Sequence, residues 1–198
     1  MFADAKTALR RHLRRLRQNL HPRERQRATR RSNRLLYPLI KRGRRIGVYW
    51  AVGSELSLAD FIRTAHRRGA QVYLPYIERG RQRLWFTPYR PGQAQERAQK
   101  RNPAIPQFAG TRIRAHGLQV LVMPLVGVDG QGRRLGQGGG FYDVTLAHTR
   151  GRLQPRRVGA GFACQQVDAL PSEPHDMPLN AFVSEAGYAR FTMTEGQE

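Results

Sequence analysis

The twelve residues LQVLVMPLVGVD, from Leu118 to Asp129, form a continuous apolar run rich in branched side chains. A strand written this way has no solvent face, so the run predicts a central strand buried on both sides of a sheet. RRLGQGGGFYD (Arg133 to Asp143) follows closely, with glycine at 136, 138, 139 and 140. Glycine admits positive φ and lets a ligand approach successive N–H groups, so a glycine run between a strand and a helix makes an anion cradle. Phosphate is the expected occupant, with Arg133 and Arg134 adding charge-assisted bonds, Tyr142 an aromatic face and Asp143 a carboxylate for Mg²⁺. The pattern is not a Walker A loop, since no Gly-Lys-Ser/Thr follows, and not GxGxxG, since Phe141 stands in place of the third glycine. Glycines alone would equally suit a surface turn with both arginines solvated.

The rest of the chain alternates. Ala5, Leu9, Leu13, Leu16 and Leu20 recur at helical spacing and predict a first helix with a narrow apolar stripe and an arginine-covered outer face. Pro22 suits the first turn of a second helix running towards Ile40. RIGVYW (Arg45 to Trp50) reads as a strand, AVGSE as a turn, and Ser57 with Asp60 as a capping box opening a helix that Gly69 closes. VYLPYI (Val72 to Ile77) is the next strand, RLWFTPY (Arg83 to Tyr89) another that ends at Pro88, and the stretch from Pro91 to Gly117 is expected to be largely irregular. FYDVTLAHTR should be a helix closed near Gly151, and RRVGAGFA and AFVSE further strands. Strands alternating with helices argue for a three-layer α/β/α open sheet in a single domain over residues 1–198, with ligands beyond the carboxyl ends of the strands.

Charge is the outlier. The formal net charge is +21, from 35 basic and 14 acidic residues. Up to Arg45, 16 Lys and Arg face only Asp4 and Glu24. Such a field favours anionic partners, and the helix RRHLRRLRQ keeps a nucleic-acid-binding protein as the alternative reading. Cys164 is the one cysteine, which excludes an internal disulfide; burial as a structural thiol is expected rather than nucleophilic use. No signal-peptide pattern or membrane-length apolar run is present, so a cytoplasmic, reducing setting with no membrane partner is expected.

VMPLVGVDGQGRRLGQGGGFYD resembles the signature of the 5-formyltetrahydrofolate cyclo-ligase family, with Asp129, Gly132, Arg134, Leu135, Gly136, Gly138, Gly140, Tyr142 and Asp143 on matching positions. Lys6 and Arg10 resemble the family's Lys-x-x-x-Arg pair, YWAVGSEL its strand-turn segment, and GFACQQVDALPSEPHDMPLN its Gln…Leu-Pro…His-Asp segment. Phe141 in place of a tyrosine, Gly127 where many members carry alanine, and AIPQF (Ala104 to Phe108) without the usual Glu and Pro are departures.

The resemblance implies a fold similar to ribose-5-phosphate isomerase and the coenzyme A transferases. It implies conversion of 5-formyltetrahydrofolate, with or without a polyglutamate tail, to 5,10-methenyltetrahydrofolate, using ATP as co-substrate and Mg²⁺ as cofactor. Lys6, Arg10, Arg134, Leu135, Gly136, Gly138, Gly139, Gly140 and Tyr142 would then bind nucleotide, with Lys6, Arg134 and Tyr142 catalytic. Trp50, Glu55 and Tyr142 would hold folate, and Asp143 with Asp176 the metal. A monomer is expected, touching nucleic acid only non-specifically.

Overall fold

The computed structural model describes residues 2–98, 105–171 and 177–192. Two helices lead, α1 (Phe2–Gln18) and α2 (Pro22–Leu36). They are followed by β1 (Arg45–Gly47), α3 (Ala59–Arg67), β2 (Gln71–Tyr76) and β3 (Trp85–Pro88). Beyond the short strands β4 (Arg97–Ala98) and β5 (Pro106–Gln107) come β6 (Val120–Pro124), β7 (Gly127–Asp129), β8 (Arg134–Leu135) and α4 (Phe141–Ala147). The chain then supplies β9 (Arg156–Ala160), β10 (Gln166–Val167), β11 (Ala181–Ser184) and β12 (Gly187–Arg190).

Seven strands form one sheet in the order β12-β11-β9-β6-β1-β2-β3. Neighbours from β2 through β1, β6 and β9 to β11 pair in parallel, and the edges β3 and β12 pair antiparallel. The order reverses between β1 and β6, because the chain steps outward to β2 after β1 and the opposite way to β9 after β6. At such a reversal the connections leave on opposite faces and open a crevice at the strands' carboxyl ends.

β6 shows why its sequence is uniformly apolar. Val120 and Val122 face the layer that contains Leu36 of α2 and Phe61 of α3, whereas Leu121 and Met123 face Phe86, Phe182 and Leu146 of α4. All four are 2% exposed or less. Period-two alternation therefore loads both faces, and each such burial is worth about 1.5–3 kcal/mol relative to exposure.

Several local expectations need correction. The apolar run is not one strand: β6 stops at Pro124, and β7 belongs to a separate three-stranded sheet, β10-β7-β8. Proline offers no N–H to the ladder, and the Val126 N–H turns instead to the Leu135 carbonyl at 2.8 Å. α2 ends at Leu36, where Pro38 interrupts the helical ladder and residues 37–39 tighten into a 3₁₀ turn. Ser57 and Asp60 do not form a capping box: Asp60 pairs with Arg63, and the buried Asn33 of α2 accepts the Phe61 N–H at 2.8 Å. Asn33 also donates to the Ser57 carbonyl, so one helix caps the next.

The phase of α1 differs too. Leu13 is 1% exposed, but Leu16 is 39% exposed and Arg17 only 5%. Leu13 packs with Val126, Leu135 and Leu170 beside Gly127, where an added Cβ would lie 2.6 Å from its Cδ1. The glycine that departs from the family's alanine makes room for that contact. α4 is shorter than expected, ending at Ala147.

Candidate active site

The crevice at the sheet reversal is lined by two connections. The turn after β1 carries Trp50 and Glu55, and the segment after β6 runs through β7 and β8 into the glycine loop and α4. Asp129, 3% exposed, fixes the β7–β8 turn. Its carboxylate accepts the N–H groups of Gln131 and Arg133, the Arg133 Nε–H at 2.6 Å and the Leu170 N–H. Arg133, expected on phosphate, is thereby turned to Asp129, while Arg134 points the other way.

Three side chains grip the carbonyls of the glycine loop. Arg10 Nε donates to the Gly136 carbonyl at 2.9 Å, an Arg14 terminal nitrogen to the Gln137 carbonyl at 3.2 Å, and Gln82 Nε2 to the Gly139 carbonyl at 3.3 Å. With those acceptors occupied, an approaching anion meets the remaining backbone donors. Gly140 closes the loop in the left-handed region, φ 69°, and starts α4. An L side chain is strained there.

Arg134 lies beneath the loop, its side chain 4% exposed and paired with the one-third-exposed Asp143 carboxylate. Its Cζ stands 5.6 Å from the centroid of Tyr142, and its buried Nε has no hydrogen-bond partner among the described residues. Gly136 leaves room for this placement, since a Cβ there would lie 2.8 Å from an Arg134 terminal nitrogen and push it aside. A buried cation with a spare donor is suited to an anionic ligand, because low dielectric strengthens its field.

On the other wall, Glu55 uses both carboxylate oxygens. One accepts the Val52 N–H at 3.0 Å and closes the turn; the other accepts Gln137 Nε2 at 2.8 Å. The Tyr49 hydroxyl donates to the Leu56 carbonyl at 2.6 Å. Burial raises the pKa of Tyr49, and Glu55 and Tyr142 add to the rise. Tyr142 is likewise raised by burial and by Glu55, with Arg134 opposing. Both phenols are hydrogen-bonding groups at neutral pH, not bases. Arg17 Nε donates to the Ser54 hydroxyl at 2.9 Å; burial lowers its pKa, and Glu55 and Tyr49 partly restore it.

Trp50, 37% exposed, meets Tyr89 edge-on at 6.1 Å and Phe108 at 6.3 Å between centroids. Phe108 is one of the AIPQF departures, and its ring thus backs the aromatic wall. Gln107, at the place of the family's Glu, is fully buried and accepts the Ile77 N–H at 2.6 Å while donating to Ile105 and Pro106. A neutral amide performs both tasks.

Of the residues singled out in the sequence, Arg10, Arg134, Gly136, Gly138, Gly139, Gly140, Asp143 and Tyr142 belong to one loop-centred group, and Glu55 joins it through Gln137. Lys6 is half-buried on α1, one turn before Arg10. The Leu135 side chain is 3% exposed in the core, so only its backbone can serve a ligand. Asp176 lies outside the described residues. Sequence reading missed Arg14, Arg17, Gln82 and Gln137; the four-residue step from Lys6 through Arg10 to Arg14 was the available signal. Cys164 is half-buried with a pKa raised by burial and Glu185, which suits a structural thiol.

Among the described residues, no group of three or more His, Cys, Asp or Glu could hold a metal. A single hard carboxylate, Asp143, beside an anion cradle does fit Mg²⁺, which takes one or two protein carboxylates and completes its shell with phosphate oxygens and water. No helix of the described residues is long and apolar enough to cross a membrane.

Known proteins resemble the chain over most of its length. The model of the 5-formyltetrahydrofolate cyclo-ligase family matches residues 3–185. The 5-formyltetrahydrofolate cyclo-ligase of Escherichia coli K12 is 33% identical over 153 residues, covering 76% of this chain and 82% of that protein. The NMR structure of Aquifex aeolicus 5,10-methenyltetrahydrofolate synthetase superimposes with a TM-score of 0.79 at 23% identity, over 98% of this chain and 96% of that one. The Mycoplasma pneumoniae 5,10-methenyltetrahydrofolate synthetase gives 0.72 at 20% identity, over 91% and 98%.

Proposed function

The chain belongs to the 5-formyltetrahydrofolate cyclo-ligase family, and from that membership and the crevice geometry we propose that its single domain converts 5-formyltetrahydrofolate and ATP to 5,10-methenyltetrahydrofolate, ADP and phosphate. The observation that carries the reading is a contact across 82 residues: Glu55 lies 2.8 Å from Gln137 of the glycine loop. A folate held at Glu55 and a triphosphate held at the loop therefore share one crevice.

The chemistry needs such a meeting. A formyl oxygen on an amide-like nitrogen leaves poorly, so it first attacks the γ-phosphorus, forming an O–P bond as ADP departs. N10 then attacks the formyl carbon, loses its proton, and closes the ring as the C–O bond breaks and phosphate leaves. Phosphoryl transfer asks the protein chiefly for positioning and charge neutralisation. Lys6, Arg10, Arg134 and the N–H groups of 136–140 hold the triphosphate, Arg134 from a dry position where its charge is least screened. Tyr142, kept protonated by burial, donates a hydrogen bond and offers its ring face; Trp50 offers a second face, and Glu55 accepts N–H donors of the pterin. Mg²⁺, held by Asp143 and Asp176 directly or through water, would neutralise phosphate oxygens when bound.

Absorbance in the methenyltetrahydrofolate band, followed with protein, 5-formyltetrahydrofolate and Mg²⁺ with and without ATP, tests the proposal. An increase is expected only with ATP and is lost in Asp143→Ala. Folded protein that binds ATP yet yields no increase would send the search to another phosphoryl acceptor.

A further inference from the structure

Gln137 sits between two charges of opposite sign. Its Oε1 accepts from Arg14 twice, at 3.1 Å from Nε and 2.6 Å from a terminal nitrogen, and its Nε2 donates to Glu55 at 2.8 Å. The partners fix which way the amide faces: an oxygen must meet the guanidinium and an N–H must meet the carboxylate. No charged side chain serves both ends, since a carboxylate would repel Glu55 and a cation would repel Arg14. Arg14 also holds the Gln137 carbonyl, so the side chain and backbone of one loop residue are tied to α1 together.

Glu55 is in turn fixed from two sides. Its other oxygen closes its own turn on Val52, and the neighbouring Ser54 hydroxyl is held by the buried Arg17. Gln137 is the hold that ties the direction of Glu55 to the position of the glycine loop. Gln137 carries no formal charge.

We propose that Gln137 is a positioning residue that couples the two halves of the crevice, so that nucleotide bound at the glycine loop raises affinity for folate at Glu55, with Arg14 as the anchor of the bridge. The inference rests on the cyclo-ligase reading above. Whichever ligand arrives first immobilises the loop, Gln137 and Glu55 together, and the second finds that ordering already done. Thermodynamic reciprocity requires that folate raise nucleotide affinity by the same factor.

The test is calorimetric titration of 5-formyltetrahydrofolate into the full chain, with and without a saturating non-hydrolysable ATP analogue and Mg²⁺. The ratio of the two folate dissociation constants is expected to be about 5 or more in the wild type, within the usual range of such couplings, and to fall to about 1 in Gln137→Met. Arg14→Met breaks the bridge from its other end and should lower the ratio in the same way, which guards against a fault peculiar to one variant. Gln137→Glu should lower it as well, by repelling Glu55 while keeping Arg14. A residue that merely supported the loop would weaken nucleotide binding and leave the ratio intact. Both ligands binding with the wild-type ratio retained in Gln137→Met, or with no coupling in the wild type, would overturn the inference and leave the function standing. Failure of wild-type protein to bind the folate at all would overturn both.

Discussion

α1 and α2 are almost equally rich in arginine, with five in the first helix and six in the second, yet the structure uses them differently. Arg10, Arg14 and Arg17 of α1 are engaged with Gly136, Gln137 and Ser54 at the crevice. In α2, Arg23, Arg27, Arg30, Arg31 and Arg34 are exposed, and the half-buried Arg25 donates to the carbonyls of Arg17 and Gln18 at the end of α1. α2 spends its inner face on Ala28, Ser32, Asn33 and Leu36 instead. Position relative to the sheet reversal, not charge content, decides which arginines are engaged at the crevice. The nucleic-acid reading rested on RRHLRRLRQ of α1, where Arg10, Arg14 and Arg17 are engaged at the crevice, so it falls back on the exposed arginines of the amino-terminal region, for which counterion release alone would give a steep salt dependence.

Substitutions at different depths of the molecule distinguish the two helices. The largest effect belongs to the buried cation beneath the loop that α1 grips: Arg134→Met should lower kcat/KM for ATP by roughly 10³-fold, the scale of a lost transition-state arginine, while folate affinity measured alone stays nearly constant. Steady-state kinetics with each substrate varied in turn reads this split. Next is Leu13→Ala, which empties the notch beside Gly127 that seats α1. It should cost about 2–5 kcal/mol in urea unfolding. If α1 were a charged appendage, the loss would be near zero. Smaller again is Glu55→Ala, which should raise the folate KM by about 10–100-fold, the worth of one or two charge-assisted hydrogen bonds, with a lesser change for ATP. Equal losses for both substrates would dissolve the division between the two walls.

Much of this was legible in the sequence, for identifiable reasons. β1, β2, β6, β9 and β11 lie where apolar runs predicted strands, because strands buried on two faces leave an unbroken signature. The split between β6 and β7 was hidden, since Leu125 and Val126 are as buried as the strand before them and only the missing Pro124 donor marks the break. β8 and β10 are two residues each, too short for any period to show. The phase of α1 misled because Leu16 looks like core and Arg17 like surface; Ser54 and the carboxylate of Glu55 are what let an arginine go inside. In the crevice, Arg134, Tyr142, Asp143 and the glycines stood out through their match to the family signature, since glycines alone would equally suit a surface turn. Gln137 did not, because an exposed glutamine among glycines shows no partner in the sequence, and Arg14 and Glu55 come to either side of it only in the fold.

Two charge-matched double variants separate the roles of the two helices. Arg10→Gln with Arg14→Gln, and Arg27→Gln with Arg31→Gln, each remove two positive charges, the first from α1 and the second from α2. The dissociation constant of a non-hydrolysable ATP analogue with Mg²⁺, measured at fixed ionic strength, should rise at least about 10-fold for the α1 pair, since charge-assisted hydrogen bonds are lost. It should change by less than about 2-fold for the α2 pair, whose exposed charges act only through a screened field. Equal weakening by both pairs would contradict the account, for it would mean that the nucleotide is drawn by net charge and not held by the α1 stripe and the glycine loop.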